Sequence, residues 1–179
     1  MERRGDWMVT ASGRKFWPLD PRPEEVFIED VSHALALQCR FNGSCREFYS
    51  VAEHSVRVSL ECAPEDALWG LLHDASEAYT GDLIRPLKAQ PEMIGFCHVE
   101  KALQAVICRR FGLYERMPRS VSHADDVLLA TEARDLMPGG GRDWRLMPEP
   151  LEVPIHPWDW RVSEIRFLAR FRDLTEGAA

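Results

Sequence analysis

The stretch LLHDASEAYTGDLIRPLK, residues 71–88, brings His73, Asp74 and Glu77 within two helical turns and follows them with Asp82 and Lys88. A purely structural core helix has no use for three titratable groups so close together, whereas a metal site does. Each residue turns about 100° around a helix of ~3.6 residues per turn, so the adjacent His73 and Asp74 can lean toward one point beside it. Glu77, four residues after the histidine and three after the aspartate, returns to the same side. An imidazole nitrogen and a carboxylate oxygen make a mixed ligand pair for a borderline divalent cation. Glu77, one turn further on, is placed to reach a water beside the cation rather than the cation itself. That is the position of a general acid or base.

A His-Asp dipeptide alone is common and by itself reads as a half-buried histidine beside a solvated acid. Two features argue for more. Leu68, Leu71, Leu72, Ala75 and Ala78 around it are apolar or small, so the helix must be largely buried, and a buried carboxylate is costly unless it is paired or ligates a cation. Further ligands can also be found. His54 lies on the helical stripe Val51, His54, Ser55, Val58, Cys62, and Asp125 on the stripe Asp125, Leu128, Leu129, Glu132, Leu136. An aspartate on a core-facing stripe is unusual. Its neighbour Asp126 faces elsewhere, and spacing alone leaves the choice between the two open. Two histidines and two aspartates from three helices would form a mixed nitrogen and oxygen shell, with positions left for water and substrate.

The elements that must position these residues follow from periodicity and punctuation. Trp7–Thr10 and Arg14–Trp17 read as short strands around a Ser12-Gly13 turn, and DPRPEE as a proline-punctuated connector. From Ile28 the pattern is helical. Ser50 and Glu53 form a capping box opening a helix over 51–62. Pro64 suits the first turn of a helix running to Tyr79. Val99, Leu103, Val106 and Ile107 mark a fourth helix, Ala124–Met137 a fifth, and Val162–Phe171 a last. The glycine- and proline-rich residues 138–160 read as a long surface loop, because the segment after them is too short to fold alone. The expected architecture is all-α with a small N-terminal β-hairpin, a single domain over 1–179. It comprises hairpin and connector to residue 27, a helical core over 28–137, the 138–160 loop and a closing helix over 161–179.

With 45% hydrophobic and 28% charged residues, the composition is that of an ordinary globular protein. A formal net charge of -7 argues against duplex nucleic acid and anionic membranes as partners, though one small anion can still sit in a local basic pocket. No apolar run reaches transmembrane length, and the N-terminus lacks the apolar stretch of a secretory signal. Five cysteines without a C-x-x-C pair indicate free thiols, as in the cytoplasm, where we expect the protein to reside.

The order His54, His73-Asp74, then a distant aspartate resembles the HD-domain metal-dependent phosphohydrolases. CRFNGSCREFYSVAEHSV, LLHDASEAYTGDLIRPLK and ADDVLLATEARDL are similar to the bacterial and phage 5′-deoxynucleotidase group, and the resemblance spans nearly the whole chain. It implies an HD-domain helical bundle. His54, His73, Asp74 and Asp125 would hold one divalent ion (Mn, Co, Zn, Fe, Ni or Mg). Asp125 is preferred to Asp126 because the family's last ligand follows an alanine and precedes an apolar run. Glu77 would orient or deprotonate the attacking water, and Arg40 would grip the substrate phosphate. Asp82 would stand near the sugar or a second metal arriving with substrate, and Lys88 would add charge near the phosphate. Phe41 stands where these relatives carry a tryptophan against the sugar, so the aromatic wall stays but its N–H donor is lost. Ser44 stands where many carry a histidine. The activity implied is hydrolysis of a 5′-(deoxy)nucleoside monophosphate to nucleoside and phosphate. The alternatives are triphosphate release from a deoxynucleoside triphosphate at the same site, or a catalytically silent nucleotide-sensing module. A homodimer is the assembly that the resemblance suggests.

Overall fold

Around the Ser12-Gly13 turn the chain doubles back as expected: β1 (Met8–Val9) pairs antiparallel with β2 (Lys15–Phe16), Met8 opposite Phe16. Gly13 takes φ 80° and its N–H donates to the Thr10 carbonyl, which closes the turn. The computed structural model describes residues 3–142, 144 and 148–176. Phe16 buries its ring by stacking on Tyr79, with centroids 3.8 Å apart, so the hairpin covers one face of the helical core.

The helices are α1 (Ile28–Leu37), α2 (Val51–Glu61), α3 (Ala67–Leu72), α4 (Glu77–Thr80), α5 (Arg85–Lys88), α6 (Ile94–Phe111), α7 (Arg119–Leu136) and α8 (Trp160–Glu176). The second is central. Val51, Ala52, His54, Ser55 and Val58 are fully buried, and α1, α3, α7 and α8 all pack around it. Each fully buried Val or Leu contributes about 1.5–3 kcal/mol, so this stripe anchors the bundle. Gly70 allows α3 to approach α2 closely: a Cβ there would lie 2.8 Å from Cys62 Sγ and 3.0 Å from Ser59 Cα. That contact is what brings the His54 and His73 rings together.

Two expectations are corrected. The helix expected from Pro64 to Tyr79 is not continuous. At His73–Ser76 the chain winds more tightly, with Ala75 N–H on Leu72 O and Glu77 N–H on Asp74 O, and α4 restarts at Glu77. Such tightening inside a helix is a common mark of a functional turn. The capping box is half formed. Ser50 Oγ accepts from Glu53 N–H as expected, but the Glu53 carboxylate turns instead to Arg57 and to Trp158 N–H.

The loop expected over 138–160 includes residues 143 and 145–147, which lie outside the described residues. Its later part is strapped down. Leu151 N–H donates to Thr131 Oγ1, Ile155 N–H to Asp135 and Trp158 N–H to Glu53. No described helix is long and apolar enough to cross a membrane.

Candidate metal centre

His54 projects from the middle of α2, and His73 caps the end of α3. Their Nε2 atoms face each other at 3.2 Å, and His73 Nε2 lies 3.1 Å from Asp74 Oδ2. One ligand atom from each of His54, His73 and Asp74 lies within 4.8 Å of the others. The opposite ring nitrogens explain why this pair invites a cation. His54 Nδ1 meets Glu132 Oε1 at 2.6 Å, and His73 Nδ1 meets the Gly70 carbonyl at 2.8 Å. Both partners are acceptors, so each Nδ1 carries a hydrogen, and in the neutral imidazole each Nε2 turns a lone pair inward. Two such buried lone pairs face to face need a positive charge between them, a proton or a metal cation. Outer acceptors holding each imidazole in this way are characteristic of metal-ligating histidines. The donor set fits a divalent ion.

The rest of the expected shell is arranged around that trio. Asp125, on α7, places Oδ1 3.2 Å from His54 Nε2, while its Oδ2 accepts from Arg85 at 2.8 Å. It touches the cluster through one histidine only. Asp126 is turned outward, with a side chain 44% exposed and 3.6 Å from Arg85.

Without a cation the electrostatics are those of a crowded acidic pocket. Burial works to lower the His73 pKa, but the Asp74 and Asp125 carboxylates overcome it and push it up to about 9. His54 is likewise raised: burial and Arg40 oppose, and Glu132 and Asp125 prevail. Burial raises Asp74 and Asp125, yet the histidines hold both well below the usual carboxylate range.

Glu77 lies at the start of α4, 4% exposed. Burial first, then Asp74 and Asp82, push its carboxyl up to about 9 against the pull of Lys88. Its Oε1 accepts from Lys88 Nζ at 3.1 Å, whereas its Oε2 is buried with no partner among the described residues. Lys88 also donates to Glu100 at 2.7 Å, so it is a bridge between two acids. Asp82 is half-buried, and burial ahead of its charged neighbours raises its pKa. Gln38 ties its segment down, accepting from Asp82 N–H at 3.1 Å and donating to the Glu77 carbonyl at 3.0 Å.

Arg40 is buried, with Nε 3.1 Å and Nη2 3.0 Å from Glu132 Oε2 and Nη1 3.6 Å from Asp74. Two of its three nitrogens are thus committed, and Nη1 faces the cluster. Its guanidinium carbon lies 5.2 Å from the Phe41 ring centre, and Phe41 in turn meets Trp144 at 5.9 Å. Phe41 and Asn42 take φ of 54° and 53°, a left-handed backbone that side chains resist and that gathers at functional sites. Ser44, where many members of the resembled group carry a histidine, is exposed and ends this turn.

Sequence reasoning gave no role to Glu132, Gly70, Gln38 and Arg85. The first had a signal, an acid two turns after Asp125 on the same apolar stripe. Arg85 had none.

Fold and site together define a mostly helical protein with a small β-hairpin and a His–His–Asp cluster compatible with a metal site. No protein-family model matches the chain. Uncharacterized protein YfdR of Escherichia coli K12 is 35% identical over 173 residues, 95% of this chain and 96% of the relative. An uncharacterized protein of Rhodobacter capsulatus is 37% identical over 143 residues, 73% of this chain and 72% of the relative. The chain belongs to the YfdR family.

Proposed function

We propose that this protein is an HD-type, divalent-metal-dependent phosphohydrolase that converts a 5′-(deoxy)nucleoside monophosphate to nucleoside and phosphate. The observation that carries the reading is the pair of His54 and His73 Nε2 atoms facing each other beside Asp74, with the unpartnered Glu77 Oε2 nearby. His54, His73 and Asp74 would hold the cation, with Asp125 completing the shell. When bound, a divalent ion supplies Lewis acidity toward the phosphoryl oxygens and positive charge that eases proton loss near neutral pH.

The chain's own groups then divide the work. Arg40 Nη1 offers a hydrogen bond to a phosphoryl oxygen, and Glu132 fixes the guanidinium so that little motion is lost on binding. Glu77, drawn back to its ionised form by a cation held beside Asp74, takes the proton of the attacking water. The water oxygen forms the new bond to phosphorus, the bond to the 5′ oxygen breaks, and Glu77 returns the proton to the departing alkoxide. Lys88 keeps the Glu77 carboxylate aimed throughout. Phe41 supplies an apolar wall for the sugar, and Asp82 an acceptor for its hydroxyl.

Monophosphate is favoured over triphosphate by the state of the cations. Arg40 has only Nη1 left uncommitted to Glu132, Lys88 is held between Glu77 and Glu100, and Arg85 spans Asp125 and Asp126. Little uncommitted positive charge is left here for two further phosphates.

The test is release of phosphate and nucleoside from deoxy- and ribonucleoside mono-, di- and triphosphates by metal-stripped protein, with Mn, Co, Zn or Mg restored. Metal-dependent turnover of monophosphates is expected. Stoichiometric metal binding with no turnover of any nucleotide would instead favour the sensing module.

A further inference from the structure

Two cysteines bracket the loop that carries Arg40. Cys39 precedes it and Cys45 closes it; both are free and half-buried, and their Sγ atoms stand 4.0 Å apart. The loop is clamped at both ends. Cys39 makes an antiparallel bridge with Ser50, Arg40 N–H donates to Tyr49 O at 2.9 Å, and Arg46 N–H donates to Leu136 O at 2.9 Å. Between the clamps the chain passes through three successive left-handed residues, Phe41, Asn42 and Gly43. One thiol helps to shape that turn, since Cys45 Sγ–H donates to the Arg40 carbonyl at 3.2 Å.

We propose that Cys39 and Cys45 are a modification site, a dithiol that a peroxide oxidises to an intramolecular disulfide across the Arg40 loop. The Cys39 sulfur attacks one peroxide oxygen, the O–O bond breaks, water leaves and a sulfenic acid remains. Cys45 Sγ then attacks that sulfur. Its proton departs with the hydroxyl as a second water, and the S–S bond forms. The two thiols lose two electrons, and the peroxide gains them. This order of attack agrees with the local chemistry. Burial, then the neighbouring Cys39, push the Cys45 thiol up to about 12, so in the reduced protein it stays a protonated donor to the Arg40 carbonyl and is not the first thiol to meet peroxide. The other three cysteines are less suited. Cys62 and Cys108 are buried, and Cys97 Sγ is turned to the Lys88 carbonyl at 3.7 Å.

A disulfide holds its sulfurs about 2.05 Å apart, so oxidation draws the two Sγ atoms together by about 2 Å and ties the two ends of the loop to each other. It also removes the donor from the Arg40 carbonyl. Arg40 is set by contacts of 3.0–3.6 Å to Glu132 and Asp74, and it is drawn out of that register. Oxidation therefore switches the site off, and a dithiol reductant switches it on again. The crosslink stands apart from the phosphohydrolase reading; only its effect on turnover rests on it.

The full-length, metal-loaded protein is treated with hydrogen peroxide, free thiols are alkylated, and intact mass and peptide maps are recorded. A loss of about 2 Da is expected, located to a Cys39–Cys45 crosslink and reversed by dithiothreitol. Monophosphatase turnover falls on the order of tenfold or more and recovers on reduction. Cys45→Ser, whose hydroxyl can still donate to the Arg40 carbonyl, keeps its reduced-state turnover and forms no crosslink. Its Cys39 sulfenic acid is trapped by dimedone. Alkylatable Cys39 and Cys45 after Cys97 has been oxidised would overturn the dithiol. Full turnover by the crosslinked protein would overturn the switch. If reduced protein hydrolyses no nucleotide at all, the mass measurement still decides the crosslink by itself.

Discussion

Two buried glutamates flank the same cluster in opposite states. On the α2–α7 side, Glu132 is fully buried, yet each oxygen has a charged or polar partner: His54 on one, Arg40 on the other. Burial pushes its pKa up, Arg40 and His54 outweigh that, and the carboxylate stays ionised. On the α4–α5 side, Glu77 is nearly as buried, but only Lys88 faces one oxygen and the other has no partner. There burial and the acids Asp74 and Asp82 win, and the carboxyl is pushed up to about 9. A satisfied buried acid holds other groups in place. An unsatisfied one keeps its proton near neutral pH until a cation beside Asp74 lowers its pKa, and it then has an oxygen to spare for a proton. On the proposed reading the first side is structural and the second carries the chemistry.

The largest effect belongs to the residue that touches both sides. Asp74 contacts His73 and Arg40 and also raises Glu77. Asp74→Ala should abolish metal retention and turnover together. Metal analysis of the purified variant checks this, and wild-type stoichiometry would remove Asp74 from the ligand set.

Next comes the structural side. Glu132→Ala leaves the Arg40 guanidinium buried without its main counter-charge, and such a loss costs about 3–5 kcal/mol. The His54 ring also loses the acceptor that orients it, which weakens metal binding by roughly 10–100-fold. Urea unfolding and metal titration measure the two separately. Glu77→Gln should do the reverse, leaving metal and folding stability in place while turnover falls on the order of a hundredfold or more. Should Glu77→Gln unfold the protein as Glu132→Ala does, the distinction between the two acids collapses.

The two sides were also unequally legible in the sequence. His73, Asp74 and Glu77 are neighbours in the chain, so helical spacing alone was enough to group them. His54 and Asp125 could be placed on apolar stripes, and both face the cluster. Glu132 lay on the same stripe as Asp125, but its meaning depends on Arg40 and His54, 92 and 78 residues away. The bridge that Lys88 makes could not be read from spacing, because its second partner, Glu100, belongs to another helix. The tightened turn at His73–Ser76 carries no glycine or proline to announce it. It follows from packing against α2, which Gly70 permits through a contact that periodicity cannot register. The all-α class and its hairpin were legible throughout, because apolar spacing and turn residues are local signals.

The smallest effect concerns the doublet that spacing left open. Asp125 places one oxygen 3.2 Å from His54 Nε2 and the other on Arg85, with its side chain 21% exposed. Asp126 meets only Arg85, at 3.6 Å, with its side chain 44% exposed. An exposed ion pair of that kind is worth about 0–1 kcal/mol. Asp126→Asn should therefore leave metal affinity and turnover within roughly twofold of wild type, since less than 1 kcal/mol is at stake. Asp125→Asn keeps the shape but removes the charge facing His54, and metal affinity should drop on the order of tenfold or more. Metal titration of the two variants side by side makes the comparison, because each loses one charge from the same turn of α7. Only the position relative to His54 differs. The opposite ranking would mean that α7 presents its other face to the cation, and the Glu132 contacts to His54 and Arg40 would then need a different explanation.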